Sequence, residues 1–356
     1  MANITFKVHH SEFAIALREE VNQYFKSNNI RKTGNWRLYS KTIILFTIFA
    51  ASYSLLVFTD IHWGFKLALC VVMGFDLSAI GFNVMHDGSH GTYSRKKWVN
   101  DAMAFSLNIM GGNAYLWNQK HNVIHHNFTN IEGYDDDIDI RPLIRTNENQ
   151  PKKWIHKYQH IYFIFLYGLT SIWWVYVRDF MKYFSGKIAN HTYKKMRVQD
   201  HLVFWISKII YLAIFVAVPI YFVGVGPTVI GYLLTFAVQG MILSVVFQMA
   251  HVVEDATFHT PDPETMKIDN TVVLHQLETT ANFSTRSPLV YWFTGGLNFQ
   301  VEHHLFPKVS HIHYYKISQI VRDLCKKYNV TYNEYPTFLD AFKSHIAHLK
   351  VVGNAA

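Results

Sequence analysis

Seven histidines fall into three clusters whose spacing suits metal binding: His86 and His90 in HDGSH, His121, His125 and His126 in HNVIHH, and His303 and His304 in QVEHH. On an α-helix, residues i and i+4 lie one above the other about 5–6 Å apart, so His86 with His90, and His121 with His125, each direct two imidazoles at one point. A single HxxxH carries little weight in a chain with 21 histidines, because chance pairs arise. Three clusters, each at the mouth of an apolar hairpin or in the segment between hairpins, read as a metal centre. His251, which closes the apolar run ending FQMA, brings the candidate set to eight. Gln300 sits at i−3 from His303 and i−4 from His304, where a further imidazole would fit; its amide suits a ligand or a holder of metal-bound water.

Eight imidazoles exceed the needs of one metal. Zinc usually takes three or four protein ligands and favours cysteine in structural sites, whereas two irons at about three to five ligands each use the whole set. Asp87, Glu254 and Glu302 are available to bridge or to orient ligands, as is Asn83 on the span that leads to His86. Asp76 lies inside that span, where an ionisable group is costly and faces a bundle interior, so it is a functional candidate; the alternative is simple pairing with a hydroxyl or with Lys66. His275 and Asn282, in LHQLETTANF, read as supporting or structural groups rather than ligands.

The elements that must position these groups are apolar and long. Runs at 42–60, 64–85, 205–224 and 228–250 are each close to the roughly 20 residues a helix needs to cross a bilayer. The turns at 59–63 and 226–228 are too short for a domain, so two tight hairpins are expected. The 356-residue chain is half apolar and carries a net charge of +8, with basic residues crowded in the N-terminal arm, the middle segment and the tail. The positive-inside rule puts all three on the cytoplasmic face, and topology accounts for the basic charge without a nucleic-acid partner. The polar stretch before the first span lacks a secretory signal, so export is not expected. Two cysteines imply no disulfide framework, thiolate zinc site or iron–sulfur cluster, and no GxGxxG follows a strand.

The expected fold is therefore an all-α integral membrane protein, with four transmembrane helices in two hairpins and a cytoplasmic helical cap holding the histidines. A single domain divides into an amphipathic N-terminal segment (1–41), a first hairpin (42–85), a first cap part (86–204), a second hairpin (205–250) and a second cap part (251–356). Residues 4–30 read as an amphipathic helix with Phe13, Leu17, Val21, Tyr24 and Phe25 near one stripe, set against the cytoplasmic body or the membrane surface. Two further apolar stretches, 102–117 and 161–177, are read as interfacial: if only the second crossed, His251, His303 and His304 would face the opposite side from the first clusters. Gly111 with Gly112, and Gly295 with Gly296, read as helix breaks. His9, His10, His156, His160, His311 and His313 have no suitable partner at helical spacing and stay outside the candidate site.

The ordered boxes HDGSH, HNVIHHNFTN and QVEHHLFP, the single histidine of FQMAH, and the segment WFTGGLNFQVEHHLFP resemble the membrane fatty-acid desaturases. The glutamine that opens the third box resembles their front-end subgroup, and the likeness covers residues 40–320. The resemblance implies a mushroom-shaped fold, a di-iron centre under the cap, and oxygen-dependent removal of two hydrogens from an acyl chain. The product would be a cis double bond between an existing double bond and the carboxyl end. Breaking an unactivated C–H bond needs a redox metal, while the protein positions a chain whose methylenes each contribute about 0.8 kcal/mol on burial.

Electrons must come from an external donor, a ferredoxin or a free b-type cytochrome, because the His-Pro-Gly-Gly motif of the cytochrome domain fused to many front-end relatives is absent. The acyl carrier stays open between coenzyme A, acyl carrier protein and glycerolipid. In GYDDDIDIRP, which also resembles the family, Asp135, Asp136, Asp137 and Asp139 either orient imidazoles, dock a basic partner or form a solvated loop. Arg141, Arg145, Lys152 and Lys153 are candidates for a phosphate-bearing head group or for a membrane-facing basic patch. Rival readings are a hydroxylase or acetylenase on the same scaffold, a membrane zinc hydrolase needing about three ligands, and a haem protein with histidine pairs inside opposed spans.

Overall fold

The computed structural model describes residues 4–7 and 11–355. His9 and His10, and the 8–10 portion of the expected N-terminal helix, lie outside the described residues. The described chain is almost entirely helical. Its named strands are two-residue pairs: Thr5–Phe6 beside Lys267–Ile268, Lys187–Ile188 beside His191–Thr192, and Asn282–Phe283 beside Glu334–Tyr335.

Among the described residues, five helices are long and apolar enough to cross a membrane: Trp36–Phe58, Trp63–His90, Trp154–Ser185, Val198–Val223 and Val225–His251. Four of them match the expected hairpins, and two run on without a break to carry His86, His90 and His251. The remaining one contains the 161–177 stretch that the sequence reading laid in the interface. Large apolar side chains such as Ile43, Phe65, Ile209 and Leu233 stand on the surface of these helices. That placement suits lipid as solvent, and the helical form satisfies every backbone group within the segment, as a bilayer requires. The chain is an integral membrane protein.

The residues form two compact units. One comprises 1–34, 123–161 and 246–356; the other comprises 35–122 and 162–245. Segments 86–122 and 162–204, which the sequence reading grouped with the cap, thus cluster with the spanning helices. In the first unit the Glu12–Ser27 helix is capped by Ser11, whose hydroxyl accepts from the Ala14 amide at 3.2 Å. Its stripe of Phe13, Leu17, Val21 and Phe25 is buried against Ile317, Val321 and Leu324 of the Tyr314–Lys327 helix. The amphipathic segment therefore packs on protein.

In the second unit, helices approach closely at small residues, as membrane helices do in the absence of a hydrophobic drive between them. A Cβ added at Gly240 would lie 2.8 Å from the Tyr167 carbonyl oxygen and 3.0 Å from the Ser171 nitrogen. Gly240→Leu is expected to force these helices apart and destabilise the protein by about 1–3 kcal/mol, read as a lower melting temperature by fluorescence-detected size exclusion. Wild-type melting would refute the contact.

Among the described residues, four helices contain wide π-turns, at Gly81–Met85, Gln119–His125, Trp174–Arg178 and Ala213–Ala217. Each accommodates an extra residue in a turn, and such turns gather at functional sites. Two of these four touch the histidine boxes directly.

Candidate metal centre

In the second unit the spanning helix passes through the Gly81–Met85 π-turn and emerges as His86–His90, where Gly91 ends it in the left-handed region at φ 71°. The His86 and His90 rings are 4.6 Å apart, centre to centre. His121 completes the group, its ring 5.3 Å from His86 and 5.4 Å from His90, with the Nε2 atoms of His86 and His121 3.3 Å apart. One ligand atom from each of the three lies within 4.8 Å of the others. Trp117, one turn before His121, stacks on it at 4.4 Å and fixes the ring plane. The sequence reading missed Trp117, although its i−4 spacing from His121 was there to see.

The helix that leads into the second box begins at Ala114, where the Asn113 side chain caps it by accepting from the Leu116 amide at 3.0 Å. The Gln119–His125 π-turn follows, so that His125 and His126 leave it in succession. In the first unit His125 joins His251 and His304, while His126 joins His303 and His304, each trio placing its ligand atoms within 4.8 Å of one another. Ring centres are 4.7 Å apart for His125 and His251, and 4.4 Å for His126 and His304. All eight histidines named from the sequence are buried.

The groups behind these rings share one design. His125 Nδ1 donates to Asp135 Oδ2 at 2.9 Å, His251 Nδ1 to the Thr279 carbonyl at 3.2 Å and His304 Nδ1 to Gln276 Oε1 at 2.7 Å, while His303 Nδ1 and the Tyr314 hydroxyl share a hydrogen bond at 3.1 Å. In each case Nδ1 is held from behind, the arrangement by which supporting groups orient imidazoles that bind a metal through Nε2. Gln300 is consistent with His251 donating through Nδ1, since its Nε2 donates to His251 Nε2 at 2.8 Å. Its Oε1 is buried with no hydrogen-bond partner among the described residues. A half-turn of the amide presents that oxygen to a metal.

The acidic loop is thus more than solvated turn chemistry. Asp135 is buried and also accepts from the amides of Asn130 and Asp137, both at 3.0 Å. Asp135→Asn is expected to lower turnover about 10–100-fold while the melting temperature holds, because the loop's backbone contacts can persist. Unchanged turnover would deny Asp135 its orienting role.

Several weaker candidates find definite places. Glu302 is fully buried and accepts from Asn282 Nδ2 and the Tyr332 hydroxyl, both at 2.8 Å; burial pushes its carboxyl up to about 7 against the pull of those two donors. Asn282 Oδ1 accepts from the Val301 amide at 2.9 Å, so this side chain clamps the Gln300–Leu305 helix. His275 donates from Nε2 to the Thr129 carbonyl at 2.9 Å, and burial pushes its ring down to about 3, which keeps it neutral. Asn83 accepts from Lys41 Nζ at 2.7 Å, and Asp87 is buried within electrostatic range of the same lysine. Asp76 has both carboxylate oxygens buried with no hydrogen-bond partner among the described residues, so the alternative of simple pairing with a hydroxyl or Lys66 is not found there. Glu254 is exposed.

Arg145 requires a correction. It is buried, and its guanidinium donates to the carbonyls of Glu148, Gln150, Val352 and Ala355 at 2.6–3.0 Å. A guanidinium spent on backbone carbonyls inside the protein is not open to a phosphate. Arg141 pairs with Asp139 and Glu132, while Lys152 and Lys153 remain exposed. The sequence reading also missed Gln276 and Tyr314. Gln276 follows His275 directly and could have been noticed there; nothing local marks Tyr314.

A donor set of imidazoles with one amide and no thiolate fits iron better than a structural zinc. A family model described as fatty acid desaturase matches residues 61–336. The chain is 37% identical over 350 residues to an acyl-lipid (8-3)-desaturase of Physcomitrium patens, covering 96% of this chain and 72% of that protein. It is 36% identical over 341 residues to an sn-1 linoleoyl-lipid 6-desaturase of Arthrospira platensis, covering 95% and 92%. A protein of the same description from Synechocystis is 31% identical over 345 residues, covering 97% and 96%. With the histidines gathered as described and the match running through all three boxes, the chain belongs to the fatty acid desaturase family and is an oxidoreductase of that kind.

Proposed function

We propose that the chain is a front-end desaturase of lipid-linked acyl chains that works through two irons held by the eight buried histidines. The observation that carries this reading is the shared support of His125, His251, His303 and His304, each tied at Nδ1 in the way that orients an imidazole to bind a metal through Nε2. In this assignment His86, His90 and His121 hold one iron, and the five histidines of the first unit hold the other, with Gln300 as a ligand or the holder of a bound water. The family is di-iron and oxygen-dependent, and the irons supply the redox chemistry that side chains lack. The protein's own part is positional: Asp135, Thr279, Gln276 and Tyr314 fix the rings, and Trp117 fixes His121.

The acyl-lipid and linoleoyl-lipid substrates in the relatives' names support a glycerolipid-bound chain over a coenzyme A or carrier-protein thioester. Those relatives are named as desaturases, which supports desaturation and gives the hydroxylase, acetylenase, zinc-hydrolase and haem readings no support. For topology we favour four crossings, with the Trp154–Ser185 helix in the interface and the histidine-bearing segments on the cytoplasmic side; even parity and the basic middle segment support it. An external ferredoxin or free b-type cytochrome supplies electrons.

The test is gas chromatography of fatty-acid methyl esters from a host with a competent electron donor, fed saturated and unsaturated acids. A new double bond on the carboxyl side of an existing one is expected. Unchanged lipids, or a new hydroxyl in place of the bond, would overturn the reading.

A further inference from the structure

An apolar cavity of about 500 Å³ lies within the second unit, among the ends of the spanning helices that lead away from their histidines. On the Trp63–His90 helix its lining residues include Trp63, Lys66, Cys70 and Met73, which share one face at steps of three or four. Met73 precedes His86 by thirteen residues, about 20 Å along a helix rising 1.5 Å per residue. The cavity is therefore separate from the metal-binding end. Its size falls within the roughly 300–1,000 Å³ of ligand sites.

Its mouth and floor differ in character. Trp63, at the start of its helix, is 69% exposed, and Tyr221, near the end of the Val198–Val223 helix, is 82% exposed, as suits the headgroup region. Cys70 and Met73 are buried. The lining hydroxyls are already engaged: Tyr53 donates to the Ile214 carbonyl at 2.6 Å, and Thr235 to the Cys70 carbonyl at 3.2 Å. The wall therefore offers water little and a hydrocarbon chain much. Lys66 is the one ionised side chain in the lining, half-buried between mouth and floor, and it has no carboxylate partner among the described residues.

We propose that this cavity binds one acyl chain of an anionic phospholipid whose phosphate sits at Lys66, as a resident lipid distinct from the chain that is desaturated. The dry wall selects a hydrocarbon, and the unpaired ammonium near the mouth selects a negative head group. Gly231 keeps the floor open, since a Cβ there would already lie 3.2 Å from Cys70 Sγ.

The experiment is native mass spectrometry of the full-length protein, exchanged into detergent with phosphatidylglycerol or phosphatidylcholine carrying identical chains. Wild type is expected to retain one phosphatidylglycerol per chain, with about a fivefold preference over phosphatidylcholine. Lys66→Gln should keep a bound lipid and lose the preference. His303→Ala should retain phosphatidylglycerol as wild type does, which distinguishes this lipid from a substrate in the active site and makes the result independent of any failure of the desaturase reading. Equal retention of both lipids by wild type, a preference that survives Lys66→Gln, or loss of the lipid in His303→Ala would overturn the proposal.

Discussion

His304→Ala is expected to abolish formation of the new double bond, by at least about 100-fold, and to leave about one bound iron per chain where wild type holds two. Of the five imidazoles in the first unit, His304 belongs to both groups, contributing beside His125 and His251 and also beside His126 and His303. Its ring is further committed through Nδ1 to Gln276, which itself donates to the His126 carbonyl at 2.8 Å. Removing the ring thus depletes two sets of donors and frees the residue that ties them together. The trio of His86, His90 and His121 keeps its own geometry, so partial iron retention is the signature. Iron content by plasma mass spectrometry, beside lipid analysis of the expressing host, reads both effects. A variant with full iron and a normal lipid profile would break the assignment of ligands.

The second large effect concerns stability. Arg145→Ala is expected to cost about 3–5 kcal/mol, because it strands four backbone carbonyls and leaves a hole where a buried side chain stood. Two of those carbonyls, Val352 and Ala355, belong to the end of the C-terminal helix Phe338–Asn354 and the residue after it. Gln159 strengthens the same junction, with Oε1 accepting the Arg145 amide and Nε2 donating to the Arg145 and Leu349 carbonyls, all at 2.8 Å. Lysine is not a conservative replacement, since a single ammonium cannot reproduce the guanidinium fork. The expected readout is a large fall in melting temperature for both Arg145→Ala and Arg145→Lys, with iron content per folded molecule unchanged. A wild-type melt for Arg145→Ala would contradict the anchoring role.

What the sequence made legible follows from how each signal is written. Long apolar helices announce themselves because bilayer thickness sets their length, so four of the candidate spans and the ends that carry His86, His90 and His251 could be read directly. The histidine boxes were equally plain, since ligands on helices recur at fixed steps. The groups behind the ligands were mostly hidden. Tyr314 reaches His303, and Gln276 reaches His304, across separations of 11 and 28 residues that no periodicity encodes. Arg145 misled because charge is a poor guide to exposure when the acceptors, here carbonyls near residue 350, are supplied from far along the chain. The Trp154–Ser185 helix differs: length and hydropathy permit a crossing, and the interfacial position proposed for it rests on the parity of the metal ligands and the basic middle segment.

The π-turns at Gly81–Met85 and Gln119–His125 change what an alteration of chain length does. Because such a turn takes up one residue more than an α-turn, losing one residue from 81–85 would restore ordinary winding and leave His86 and His90 facing close to their present direction. Losing one residue from the ordinarily wound stretch just before it, at 77–80, would instead swing both histidines by about 100° around the helix axis. In-frame deletions should therefore be milder inside the wide turn than one helical turn upstream of it.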